Sequence, residues 1–269
     1  MMKSFVRWST TLGLIGSTAL ISWIGPTWKV LALSQQQILE KLNSIPVFAI
    51  INDQGQPYAV QGDDKKMAIV GYLSQTDAQK TREQIEKQDP KMANKVKVIS
   101  LPLSDVYKQA KDAAEKKEPP PFSLIPPQQQ VQSAIALLRQ QDPKVQDFPD
   151  IPLFYVTFKK DQKEIVLSFK RGDQVLTPLF FEKESLQQEI DQLKQKEPGL
   201  ASTATIKVVP LGRIVATLEK EDTPDVRALV LVPSKDSLEF LRKLQQQQQS
   251  QQPQNKPQQN QPQAAPKKP

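Results

Sequence analysis

The sequence predicts an α+β protein made of two related halves, and three observations carry that prediction. Ile45-Pro46-Val47-Phe48 returns as Ile151-Pro152-Leu153-Phe154. Later landmarks keep nearly one spacing: Pro90 returns as Pro198, Val98 as Ile206, Pro102 as Pro210 and Leu103 as Leu211, each 108 positions on, and Pro126 as Pro233, 107 positions on. Within each half, short apolar runs on a period of two alternate with longer runs on a helical period. A spacing of this length is domain-like, because solenoid units run roughly 20 to 50 residues. Two sheet-plus-helix halves are expected to pack about a pseudo-two-fold axis.

The ends separate from the folded body. Lys3 and Arg7 precede an apolar stretch from Leu12 to Ile24, followed by Pro26 and Val30-Leu31-Ala32. That is the order of a secretory signal, which assigns residues 1–32 to a signal peptide cleaved between Ala32 and Leu33. An uncleaved anchor is the alternative; the short run, broken by Gly and Ser and ended by Pro26, argues against it. Gln245 to Pro269 holds no large apolar residue. It is expected to be a disordered Gln/Pro-rich tail, solubilising or reaching toward a partner or membrane surface, because it cannot bury enough area to offset its ordering entropy.

The first half, 33–140, opens with a strand from Ile45 to Ile51, a turn at Asn52-Asp53-Gln54-Gly55, and further strands at Tyr58–Val60 and Met67–Leu73 around a Gly62-Asp63-Asp64 turn. Ser74 with Asp77 makes a capping-box pattern for a helix that stops at Asp89-Pro90. A strand from Lys95 to Leu103 follows, with Pro102 at its exit, where proline removes no interior ladder bond. A short helix at 105–112, a strand at Phe122–Ile125 and a helix at Gln129–Gln140 complete the half. Val131, Ala134, Ile135 and Leu138 form the apolar face of that last helix.

After a connector at 141–150, the second half, 151–244, repeats the order. Its first strand runs Ile151–Phe158. Ile165, Leu167 and Phe169 predict one half-buried strand, and Arg171-Gly172-Asp173 a hairpin turn into Val175–Phe181. Leu186, Ile190 and Leu193 mark a helix face closed by Pro198. Strands at Thr205–Leu211 and Ala228–Val232 and helices at 212–220 and Lys235–Leu244 follow. Leu238, Leu241 and Leu244 form the last apolar stripe, with Phe240 lying off it.

Composition excludes several chemistries. The chain has no cysteine and no histidine, which removes disulfides, a thiolate nucleophile, Cys or His zinc sites and a Ser-His-Asp triad. No cofactor or metal is expected, and the protein is read as non-enzymatic. The formal charge of +7 resides at the ends: without Lys3, Arg7, Lys29, Lys256, Lys267 and Lys268 the body is nearly neutral. With aromatics at 6%, a nucleic-acid partner loses its support. Asp63-Asp64 and Glu221-Asp222 read as solvated turns, and Ser234, beside Lys235, as a helix N-cap in preference to a Ser-Lys nucleophile.

Four motifs in this order, Ile-Pro-Val-Phe at 45–48, Ser-Gln-x-Asp-Ala at 74–78, Pro-Gln-Gln-Gln-Val at 127–131 and Val-Pro-Ser at 232–234, carry a family resemblance over Leu33 to Leu244. The sequence resembles the twenty-two-kilodalton subunit family of the chloroplast inner-envelope translocon, and within it the cyanobacterial branch. The resemblance implies an exported protein of the periplasm or thylakoid lumen, or of the intermembrane space in a plastid. It implies chaperone-like protein transport, in which a butterfly-like pair of halves holds unfolded clients, including outer-membrane barrel proteins, in apolar grooves. Outer-membrane assembly or translocon components are the further partners, and an adaptor or scaffold of such a complex is the alternative role. Phe48, Tyr72, Phe122, Leu124, Phe154, Phe180 and Phe181 are the candidate groove residues, although an apolar strand residue more often fills the core. In Pro178-Leu179-Phe180-Phe181 neighbouring large side chains point to opposite faces, so the sheet is either covered twice or exposes a phenylalanine.

Overall fold

The structure, a computed structural model, describes residues 32–61, 67–118, 121–160 and 162–251. The positively charged N-terminal region, the apolar run, the Gly62-Asp63-Asp64 turn and the tail from 252 lie outside the described residues, and the signal-peptide assignment with them. The described residues form an α+β protein with two mixed sheets. The first half contributes α1 (Gln35–Asn43), β1 (Pro46–Asn52), β2 (Ala59–Gln61), β3 (Met67–Tyr72), α2 (Gln75–Gln88), β4 (Val96–Pro102), α3 (Leu103–Glu115), β5 (Phe122–Ile125) and α4 (Gln128–Arg139). The second contributes β6 (Pro152–Lys160), β7 (Lys163–Val166), β8 (Phe169–Arg171), β9 (Gln174–Phe180), α5 (Lys183–Lys196), α6 (Pro198–Ala201), β10 (Thr205–Pro210), α7 (Leu211–Lys220), α8 (Pro224–Ala228), β11 (Leu229–Val232) and α9 (Lys235–Gln251).

The two sheets share one central order. In the first, β1 lies between β4 and β3, antiparallel to both, and β5 pairs with β3 in parallel. In the second, β6 lies between β10 and β9, antiparallel to both, and β11 pairs with β9 in parallel. Pro46 stands opposite Pro102 and Pro152 opposite Pro210. Both prolines at the strand exits sit on edge strands, where a missing N–H costs no ladder bond.

Local sequence accounts for most elements. Ser74 Oγ accepts from Asp77 N–H at 3.2 Å to start α2, as an N-cap should. Leu186, Ile190 and Leu193 are buried along one side of α5. Gly172, at φ +60°, turns β8 into β9. Other expectations need correction. The single strand predicted over Ile165–Phe169 is two: β7 pairs with β6 and β8 with β9. The break falls where Leu167 turns inward to 4% exposure and donates its N–H to Val156 O at 3.0 Å. Helix α9 runs through Gln251, seven residues into the predicted tail. Helices α1 and α8 lie where no element is predicted.

The halves interlock. One core draws on both sheets and on α1, uniting Ile38, Leu42, Val47 and Leu73 with Leu153, Leu179, Leu211 and Leu231. The last helix of each half then crosses to the opposite sheet. Helix α4 packs on β6 and β10, with Ala134 among Phe154, Val156 and Leu186, whereas α9 lies against α2 and brings Phe240 onto the first-sheet cluster of Phe48, Ile50, Val70 and Tyr72. The boundary at 140–151 therefore divides the sequence but not the space. Each fully buried Phe48, Phe154 or Phe158 contributes roughly 1.5–3 kcal/mol from removal of its ring from water.

Candidate functional site

Each sheet has one face covered by a helix of its own half together with the exchanged helix of the other, and one turned toward the shared core. On the second kind of face the covering is incomplete. In the first sheet, alternation puts Val47 and Ile51 of β1, Leu101, Ile99 and Lys97 of β4, Ile69 and Met67 of β3, and Leu73 just beyond it on that face. Val47, Leu73 and Leu101 belong to or pack on the shared core. Farther out the cover ends, leaving Ile99 37% and Met67 62% exposed. Phe122 and Leu124 of β5, half-buried, border the transition. Gly71 lies between, and a Cβ there would meet Leu124 Cδ2 and Val47 Cγ1 at 2.8 Å each.

The corresponding face of the second sheet opens into a cleft of about 820 Å³, with Tyr155, Thr177, Leu179, Val209 and Leu229 among its lining. Its outer end is polar. Thr157 Oγ1 donates to Glu164 Oε1 at 2.7 Å, Lys207 Nζ pairs with the same oxygen at 2.6 Å, and Ser168 shares a 3.0 Å hydrogen bond with Thr177. The Lys207 ammonium first, then the Thr157 hydroxyl, hold the Glu164 carboxyl below its usual range. Where the first sheet carries Ile99, Ile69 and Met67, the second carries Lys207, Thr177 and Val175 at the matching places. The first face is mainly apolar, with the exposed Lys97 opposite Ile51 as its charged member, and the second has a charged rim.

A third cleft, of about 600 Å³, lies between the halves where α2, α4 and α9 begin, with Thr76, Gln84, Gln130, Glu182 and Asp236 in its wall. Here the exchanged helices cap their neighbours. Asp236 of α9 accepts from Ser74 Oγ and Thr76 N–H of α2, both at 3.1 Å. Gln130 of α4 accepts from Lys183 N–H at 3.0 Å and donates to Glu184 at 2.8 Å. Asp236 and Gln130 are thus engaged in holding helix starts.

The predicted groove residues need correction. Phe48 and Phe154 are fully buried, and Tyr72, Phe180 and Phe181 are 5–7% exposed. Both faces of each sheet are covered at these places, by the shared core on one side and by α2 with α9, or α4 with α5, on the other. Phe122 and Leu124 alone of the seven reach the edge of an open face. The open surface instead exposes Met67, Ile99, Val166 and Val175; three of them are apolar residues at or next to a strand end, a signal the sequence carries, whereas Ile99 sits in the middle of β4. Ser234, the residue weighed as a nucleophile, accepts from Ser237 N–H at 3.2 Å and so caps α9. Asp222 is paired with Arg227; Asp63 and Asp64 fall outside the described residues. Among the described residues no group of three or more Asp or Glu is placed to hold a metal ion, and no helix is long and apolar enough to cross a membrane.

Two mixed sheets interlocked through a shared core define the protein as α+β. The model of the Tic22-like family matches residues 7–245, and the chain belongs to that family. Its fold is similar to that of Tic22 from Anabaena, described as a protein of protein transport, at 29% identity and a TM-score of 0.65, covering 78% of this chain and 97% of that one. It is also similar to Tic22 from Plasmodium falciparum, at 26% identity and a TM-score of 0.62, covering 78% and 98% respectively. Comparison with curated proteins gives no match.

Proposed function

We propose that this protein is a chaperone-like transport factor that holds extended apolar segments of unfolded clients on the open face of its first sheet. The observation that carries the reading is the exposure of Met67 and Ile99 on a face continuous with the core, bordered by Phe122 and Leu124. Contiguous apolar surface on a folded chain marks interaction sites. An outer-membrane barrel strand, apolar on alternate residues, has matching chemistry, and the charged rim of the second sheet offers a polar counterpart to its other side.

The family membership and the description of Anabaena Tic22 support a role in protein transport. In this reading the halves descend from one duplicated module, supported by their common strand order and paired prolines. The N-terminal apolar stretch supports export to a periplasm or thylakoid lumen, or to an intermembrane space in a plastid, with assembly or translocon components as receiving partners.

The test is calorimetry of the purified chain with an unfolded barrel protein, alongside suppression of that protein's aggregation. Binding should show a negative heat-capacity change and little dependence on salt. A Met67→Glu, Ile99→Glu double variant, which alters only exposed positions, should lose it. Binding that is absent, or unchanged in the variant, overturns the reading; binding only to a folded assembly partner would assign an adaptor role instead.

A further inference from the structure

The two exchanged helices are not held alike. Helix α4 is fixed at both ends, by β5 before it and by the connector to β6 after it. It buries Gln130 and Ala134 to 4% and 0% exposure, and Val131, Ile135, Leu137 and Leu138 pack on the second-sheet cluster. Helix α9 follows β11 and is hydrogen-bonded to both halves at its start. Its first turn is anchored by Ser234, by Glu182 accepting from Lys235 N–H at 3.1 Å, and by the Asp236 contacts to α2. From Leu238 onward every α9 side chain described is half-buried or exposed. Phe240 is the one α9 residue seated on a core cluster, its ring edge-on to Phe48 at 5.0 Å between centroids.

The floor beneath is an apolar surface, with Phe48, Ile50 and Val70 at 0–2% exposure and Tyr72 at 7%. The occupant that fits it is already visible: an amphipathic helix lying beside α2 and inserting one aromatic ring. We propose that this site is a helix-binding groove for a partner protein, and that α9 is its resident occupant, displaced beyond its first turn by a partner's amphipathic helix presenting an aromatic residue where Phe240 sits. Recognition would be of the helix-in-groove kind, with an aromatic anchor in the place of Phe240. Because the resident helix is tethered, the affinity a partner sees is reduced by the fraction of time the groove is open. Release also exposes Phe48 and Tyr72. This site is on the opposite face of the first sheet from Met67 and Ile99, and the inference does not rest on the client-binding reading.

The probe is a labelled peptide of the α9 sequence, Lys235 to Gln251, added to the full chain. Phe240→Ala loosens the resident without touching the floor, so the peptide should bind that variant about tenfold more tightly than the parent. In the parent, amides beyond Leu238 should exchange with solvent faster than those of α4, and faster still with peptide bound, while α4 is unchanged. Equal affinity for parent and variant, peptide binding that leaves α9 exchange unaltered, or α9 amides protected as well as those of α4 would each overturn the proposal. Concentration-dependent dimerisation of Phe240→Ala through its freed helix would assign the groove to a second copy and overturn the partner.

Discussion

The Tyr107 hydroxyl donates a 2.7 Å hydrogen bond to Glu219 Oε1, joining α3 of one half to α7 of the other. Lys111 reaches the same oxygen at 3.2 Å. Burial pushes the Glu219 carboxyl up, but the Tyr107 hydroxyl and the Lys111 ammonium outweigh it, and its net pKa lies below the usual carboxylate value. Burial first, then Glu219, pushes the Tyr107 hydroxyl well above its ordinary value, so it stays a donor throughout the physiological range.

Tyr107→Phe should therefore cost about 1 kcal/mol at neutral pH, toward the low end for a charge-assisted bond because Glu219 is partly open to water. The sign with pH follows from linkage. A carboxyl whose folded pKa is depressed adds stability above its unfolded pKa and loses it as pH falls through the folded one. The gap between parent and variant should be full near pH 6 and narrow toward about pH 3. Urea midpoints at both pH values measure it, and a gap that stays constant would show the bond to be uncoupled from ionisation.

Gly71 is a packing requirement. Its absent Cβ leaves room for Leu124 and Val47 to meet over β3, with 2.8 Å to each had it been present. The matching place in the second sheet holds Leu179, so the constraint belongs to the first half alone. Gly71→Ala should cost about 1–3 kcal/mol through overpacking, or a fall of about 2–4 °C in melting midpoint for each kcal/mol. Gly199→Ala, in α6 with open space around it, should be neutral or slightly stabilising. Similar losses at both would mean that Gly71 acts through the unfolded chain.

What could be read from the sequence was local. The prolines at 102 and 210, the Ser74 cap, and the Leu186-Ile190-Leu193 stripe each report chemistry within a few residues, and each stands where expected. The exchange of α4 and α9 could not be read that way. A 3.6-residue period says that a helix has an apolar face, not which sheet receives it. The same limit misdirected the stripe of α9. Leu238, Leu241 and Leu244 have the better spacing, yet Phe240 is the side chain that reaches a core cluster, because α9 lies against α2 and the first sheet. The same limit bears on the groove candidates: Phe48, Tyr72, Phe154 and Phe180 are closed off only when α9 or α4 from the other half joins α2 or α5 from their own.

Asp236 ties that exchange to helix α2. Its carboxylate takes Ser74 Oγ and Thr76 N–H at 3.1 Å each and Thr76 Oγ1 at 3.3 Å, so it adds a negative charge to a helix start 160 residues away in sequence. It also lies in the first turn of its own helix, and an acid is favourable at both N-termini. Asp236→Ala should cost about 1–2 kcal/mol and should raise hydrogen exchange in two separate stretches, the first turn of α2 near Asp77 and Ala78 and the first turn of α9. Ser234→Ala removes only the local cap of α9 and should cost about 1 kcal/mol, leaving α2 protected. If Asp236→Ala loosens α9 alone, the α2 contact carries no free energy. The two helices would then be held together by Phe240 and its neighbours, not by the shared carboxylate.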